Sequence, residues 1–160
     1  MTGSSQPKRA SVCVLGSANM DLVVTVDRAP APGETAVGHE FAQIPGGKGA
    51  NQALAAARAG GDVRMLGAVG DDAFGRRIRA VLEADGVDTI GLHIVDAPTG
   101  TAHIVVDAYG ENSIVVVPGA NGTVRTMSDD HRTAITTSDV LLLQLELSIE
   151  IVERAARWGA

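Results

Sequence analysis

Residues 12–21 read Val12-Cys13-Val14-Leu15-Gly16-Ser17-Ala18-Asn19-Met20-Asp21, a short apolar run, a glycine, and then a stretch carrying serine, asparagine and aspartate. The run does not alternate and is too short for a helix face, which predicts a strand buried on both sides, as in a parallel sheet. Residues 63–66 and 140–145 are runs of the same kind. Helical periodicity lies between and after them. Ala50, Ala53, Leu54 and Ala57 form one apolar stripe, Phe74, Ile78, Val81 and Leu82 a second, and Ile149, Val152 and Ala156 a third, with Glu150–Arg154 and Glu153–Arg157 as i,i+4 pairs on its wet side. Strand then helix, repeated, is the pattern of an α/β domain built on a parallel, Rossmann-like sheet.

Two stretches interrupt that rhythm. Residues 22–26 with 35–42, and 101–106 with 113–117, read as extended pairs, the second a hairpin turning at Tyr109-Gly110-Glu111-Asn112. With no helix between partners, they predict a small antiparallel sheet inserted into the domain, a lid over segments 22–42 and 99–117. Residues 1–11 read as a disordered tail and 12–160 as one α/β unit. Lys8 and Arg9 precede only four apolar residues, too few for a signal-peptide core, and no apolar run nears the ~20 residues of a membrane span. A cytoplasmic setting is therefore expected. Asn121-Gly122-Thr123 matches a glycosylation sequon, but without a secretory signal it reads as a turn.

Composition narrows the chemistry. Thirteen Lys and Arg against nineteen Asp and Glu give a net charge of −6 over 160 residues, which argues against nucleic acid and anionic membranes as partners. Phe41, Phe74, Tyr109 and Trp158 are the only aromatic residues, so no stacking platform for single strands is available. Cys13 is the sole cysteine, which rules out an internal disulfide and a thiolate zinc site; a buried, inert thiol is expected. His39, His93, His103 and His131 lack metal-ligand spacing.

In open α/β sheets ligands bind beyond the carboxyl ends of the strands. The stretch after the first strand lies there, as do Gln144-Leu145-Glu146 after the third and Pro45-Gly46-Gly47-Lys48-Gly49-Ala50-Asn51 at the start of the first helix. Taken singly, Asn19 or Asp21 would cap a turn, the glycines would permit one, and Glu146 would be a solvated loop acid. Their coincidence at one edge points instead to a site for a polyhydroxylated molecule. A carboxylate such as Asp21 accepts from two neighbouring hydroxyls, the amides of Asn19 and Asn51 donate and accept, and Lys48 donates only. Gly46, Gly47 and Gly49 would let a ligand approach the backbone and free N–H groups at the helix start. Gly-Gly-Lys is not a Walker A loop, since that motif needs glycine where Ala42 stands and serine or threonine where Gly49 stands. No Gly-x-Gly-x-x-Gly follows the first strand either.

With these residues in view, the sequence resembles the ribokinase family within the PfkB group of carbohydrate kinases. The resemblance rests on Gly16-Ser17-Ala18-Asn19-Met20-Asp21, Pro32-Gly33-Glu34-Thr35, Gly46-Gly47-Lys48-Gly49-Ala50-Asn51-Gln52-Ala53, Gly70-Asp71-Asp72-Ala73-Phe74-Gly75, Thr99-Gly100-Thr101-Ala102, Gly110-Glu111-Asn112 and Gln144-Leu145-Glu146, in the family's order from Val12 to Glu146. It implies a ribokinase-like fold and phosphorylation of D-ribose at its primary 5-hydroxyl with ATP and Mg²⁺ as cofactors, and leaves room for a monovalent cation beside them. It also implies that Asn19, Asp21, Gly46, Gly47, Lys48, Asn51 and Glu146 hold the sugar, and that the lid forms a homodimer contact. Family members run to about twice this length, and the segments that supply the nucleotide site and the Gly-Ala-Gly-Asp base do not follow Glu146 here. Gly67-Ala68-Val69-Gly70-Asp71 mimics that last motif with one residue too many, so Asp71 is not expected to be the base. The chain as it stands is therefore expected to be inactive alone. A non-catalytic sugar-binding or dimerising module, and a kinase for deoxyribose, a nucleoside or another sugar, remain alternatives.

Overall fold

The computed structural model describes residues 9–160. In chain order the elements are β1 (Ser11–Leu15), β2 (Asn19–Thr25), β3 (Glu40–Gly46), α1 (Lys48–Arg58), β4 (Asp62–Gly70), α2 (Ala73–Ala84), β5 (Leu92–Val95), β6 (Gly100–Val106), β7 (Asn112–Val117), a 3-10 turn (Gly119–Thr123), α3 (Asp129–Thr136), β8 (Val140–Leu143) and α4 (Ile149–Gly159). The tail foreseen for residues 1–11 lies mostly outside the described residues, and Ser11 already belongs to β1. Among the described residues no helix is long and apolar enough to cross a membrane.

β5, β4, β1 and β8 form a wholly parallel sheet in that order. The central strand β1 shows why its sequence does not alternate. Val12 and Val14 pack with Met65, Leu54, Ile78 and Leu82 on the face covered by α1 and α2. Cys13 and Leu15 pack with Leu66, Ile135, Ile151 and Ala155 on the face covered by α3 and α4. A fully buried leucine or isoleucine contributes roughly 1.5–3 kcal/mol, so these two clusters dominate the stability of the unit. Cys13 is the buried thiol expected, and burial pushes its pKa up to about 11 against a small opposing effect of Arg64.

The second sheet, ordered β3-β2-β6-β7, is the lid. The two antiparallel pairs foreseen, β2 with β3 and β6 with β7, are present, and they join side by side through a parallel pairing of β2 with β6. Residues 35–38 form no strand and His39 only donates its N–H to the Thr25 carbonyl (2.8 Å); β3 instead runs from Glu40 through Pro45 to Gly46. Pro45 and Gly46, expected at the start of the first helix, lie instead in β3, an edge strand, where a proline leaves no ladder donor missing. Met20 is fully buried in the domain core and Leu22 packs beside it, which roots the lid.

Three further differences have local causes. β8 stops at Leu143, because Gln144 turns its side chain back to donate to the Leu15 carbonyl (2.8 Å) and Leu145 projects into solvent. In α4 the buried face is Ile151, Val152 and Ala155, whereas Ile149 and Ala156 are exposed, so the stripe read from sequence is rotated. The elements missed, β5 and α3, bury too little to show a period. β5 exposes His93 and Ile94, and α3 buries His131, Ala134 and Ile135 behind a Ser128–His131 capping box.

Candidate functional site

Beyond the carboxyl end of β1 the chain crosses from one sheet to the other through Gly16, Ser17 and Ala18, and α1 starts directly against this crossing. The close approach explains two glycines. A Cβ on Gly49 would lie 2.6 Å from the Gly16 carbonyl carbon and the Ser17 nitrogen. Gly47 has φ +92°, and a Cβ there would lie 2.8 Å from the Asn19 nitrogen. Asn19 opens β2 opposite Gly46, and Asp21 follows two residues on, on the same face of the strand. A Cβ on Gly46 would sit on Asp21 Oδ2, so this glycine makes the room that the carboxylate occupies.

Asn19, Asp21, Gly47, Lys48, Asn51 and Glu146 line one cavity of about 180 Å³, roofed by Ala102, Ile104, Ile114 and Val116 of the lid. Every side chain expected at the site is thus brought together, Gly46 standing behind Asp21. Their roles differ. Glu146 already holds three donors. Its Oε2 accepts from Ser17 Oγ (2.6 Å) and the Lys48 backbone N–H (3.0 Å), and its Oε1 accepts from Lys48 Nζ (2.7 Å). Burial works against its charge, yet the hydrogen bonds from Lys48 and Ser17 outweigh that and hold the carboxyl below the usual range. Asp21 is the opposite case. It is half-buried and receives no hydrogen bond from any described residue, and burial, then the neighbouring Glu146 charge, push its pKa up against the pull of Lys48.

The free N–H groups expected at the start of α1 are not free. Glu146 takes that of Lys48, and the Ser17 carbonyl takes that of Ala50 at 3.0 Å. The helix start is therefore locked to the β1–β2 crossing and offers no anion cradle. Lys48, the cation of the cavity, has its amine on Glu146. Among the described residues no group of three or more His, Cys, Asp or Glu could hold a metal ion. These residues do not fit a polyphosphate or its Mg²⁺, because the helix-start N–H groups and the lysine amine are already taken.

Other sequence motifs turn out to be structural. Asp71 lies in solvent and pairs with Arg76 (3.1 Å). Asp72 caps α2 by accepting from the Gly75 N–H (2.8 Å), and it also accepts from the Thr99 N–H (2.8 Å) and hydroxyl (2.7 Å), which ties α2 to the start of β6. A roomier groove of about 320 Å³ beside it, lined by Phe74, Pro98 and Val117, is mainly apolar, and the Asp72 carboxylate at its edge is committed to these bonds. Glu34 closes the β2–β3 loop by accepting from the Ala31 N–H (2.9 Å) and pairing with Arg28. Gly110 serves the β6–β7 turn with φ +82°.

Sequence reasoning missed Ser17, which braces Glu146, and Asn121. The latter sits in the turn foreseen, but it is buried and bonds to Ala18 and Asn19. No local pattern signals a partner more than one hundred residues away.

The model of the pfkB family of carbohydrate kinases matches residues 9–157. The chain belongs to this family. It is 46% identical over 150 residues to the ribokinase of Bacillus subtilis, covering 92% of this chain and 51% of that one. The ribokinase structure from Thermotoga maritima superimposes with a TM-score of 0.84 at 36% identity, over 92% of this chain and 49% of that one. The Arabidopsis thaliana ribokinase, solved in complex with ribose and ATP, gives 0.84 at 33% identity over 95% and 50%. The ribokinase-like fold is thereby confirmed, and the chain spans about half the length of the curated ribokinases it matches.

Proposed function

We propose that this chain carries the acceptor-sugar site of an ATP-dependent ribokinase-type kinase, with D-ribose as the sugar. The observation that carries this reading is Asp21: a half-buried carboxylate without a donor, facing a cavity whose remaining polar groups are two asparagine amides and a braced Lys48–Glu146 pair. Leaving such a carboxylate without a donor costs free energy that a ligand with hydroxyl donors recovers. A pair of neighbouring ring hydroxyls donates to Asp21, Asn19 and Asn51 complete their hydrogen bonding, and Ile104, Ile114 and Val116 cover the C–H face. The cavity is smaller than the roughly 300–1,000 Å³ of a drug-sized site, which suits a monosaccharide. ATP supplies the phosphoryl group for the primary hydroxyl in this reaction class. The residues of this chain grip and orient the acceptor and keep water from it under the lid.

Calorimetry with ribose tests the reading. Asp21→Ala is expected to weaken binding by about 1.5–3 kcal/mol, more than tenfold, because both hydroxyls lose a charged acceptor. 2-Deoxyribose, which lacks one hydroxyl of the pair, should bind more weakly than ribose and lose less on the same substitution. Equal ribose affinity in Asp21→Ala and the parent would remove Asp21 from the site.

A further inference from the structure

Asn121 lies in the 3-10 turn that follows the lid and is only 4% exposed. Its amide is oriented by the backbone of Ala18. The Ala18 N–H can only donate, and it meets Asn121 Oδ1 at 2.9 Å; the Ala18 carbonyl can only accept, and it meets Asn121 Nδ2 at 3.1 Å. The second proton on Nδ2 then points at the side chain of Asn19, 2.8 Å away, so the atom Asn19 turns toward it must be its oxygen, Oδ1. Asn19 Nδ2 is left with no acceptor among the described residues, on a side chain that lines the cavity beside Asp21. Gly100 backs this junction: a Cβ there would lie on both Asn121 Nδ2 and Asn19 Oδ1. The same Cβ would lie 2.8 Å from the Pro118 carbonyl oxygen, so a methyl group at this position presses on the bond with backbone behind it.

We propose that Asn121 is a positioning residue that fixes the hydrogen-bond polarity of the sugar site, holding Asn19 so that it offers donors where Asp21 offers acceptors. The inference rests on the acceptor-site reading above. A hydroxyl has one proton and two lone pairs, so beside Asp21 it donates to the carboxylate and accepts from Asn19. With the Asn19 amide reversed, two acceptors would compete for that proton. The clamp therefore selects hydroxyls over groups that only accept, such as ethers, and groups that only donate, such as ammonium ions.

Asn121→Asp is the test, because it keeps the shape and removes both protons of Nδ2. Asn19 should then turn its own Nδ2 to the new carboxylate and its oxygen to the cavity. Ribose binding is expected to fall at least about tenfold by calorimetry, comparable to a lost hydrogen bond that leaves a partner stranded. In an Asn19→Ala background the same change should cost nothing further, whereas a merely structural role for Asn121 would persist there. Unaltered ribose affinity in Asn121→Asp, or an undiminished effect in the Asn19→Ala background, overturns the proposal. Nitrogen-15 NMR of the Asn19 side-chain amide reads the clamp without ligand: one proton should move downfield in Asn121→Asp, and an unmoved pair refutes the reversal. If the parent chain fails to bind ribose, the acceptor-site reading falls while this spectrum still decides the clamp. Gly100→Ala adds no charge and should give the same loss of ribose affinity if Asn121→Asp does not fold.

Discussion

Replacing Gly49 by alanine sets two sizeable effects against each other. Gly49 lies in the first turn of α1, where alanine is favoured over glycine by about 1 kcal/mol on helix propensity. The added methyl, however, would stand 2.6 Å from two backbone atoms of Gly16 and Ser17 and 2.7 Å from a third, where ordinary contact begins at 3.4 Å. None of these atoms belongs to a flexible side chain, so relief requires α1 to move away from the β1–β2 crossing. That movement stretches the bonds from Ala50 N–H to the Ser17 carbonyl and from Lys48 N–H to Glu146. Overpacking of this kind costs about 1–3 kcal/mol, and the rigid backbone neighbours place Gly49 at the upper end. The net expectation is a loss of about 1–2 kcal/mol, a fall in Tm of roughly 2–8 °C for a chain of this size. Urea unfolding followed by circular dichroism measures it. Gly46→Ala is the matched comparison, since the three atoms nearest its methyl all belong to the Asp21 carboxylate, the end of a side chain that can turn aside; it should stay close to the parent in stability and lose ribose affinity. A Gly49→Ala chain that unfolds at the same or higher urea than the parent would refute the claim that backbone contact at this position sets the helix start.

Ribose affinity should decline on acidification with a midpoint above the ordinary aspartate range, because burial and Glu146 raise the pKa of Asp21 and the sugar needs its charged form. For the unliganded chain the same raised pKa means that the fold binds this proton more tightly than the unfolded chain does, so stability from Asp21 is lost as pH rises through its titration; Asp21→Asn should remove that loss, measured as urea midpoints across pH. Glu146, held below the usual range, acts oppositely, and its contribution disappears as pH falls through its titration. We further expect the lid to pair with a second copy through the part of its cavity-lining face that lies outside the cavity, at Val23, Ala42 and Ile44, where Ile44 is half exposed. Ile44→Asp should convert dimer to monomer in ultracentrifugation, and a parent that sediments only as monomer at micromolar concentration would count against the pairing.

The α/β class and the lid were legible in sequence because they depend on local pattern. Val12 to Leu15 must be buried on both faces whatever surrounds them, and the stripes of α1 and α2 follow from helical spacing alone. The side chains of the site could also be named, since strand ends and helix starts meet at one edge of a parallel sheet. Pattern failed where a neighbour distant in sequence decides the outcome. Pro45 lies in a strand because only one side of β3 is paired, the face of α4 is chosen by the sheet it covers, and the N–H groups of α1 are taken by Glu146 and Ser17.

The sequence by itself determined which residue types the site contains: carboxylates, amides and a lysine, with glycines beside them. The tertiary structure alone decided what each of them does. Glu146 is filled by Lys48 and Ser17 while Asp21 is left open, and Asn19 is turned by Asn121, a residue one hundred and two positions away. A side chain's donors and acceptors are fixed by its chemistry, but which of them still face a ligand depends on the partners that folding supplies, and those partners are set by three-dimensional packing rather than by local spacing.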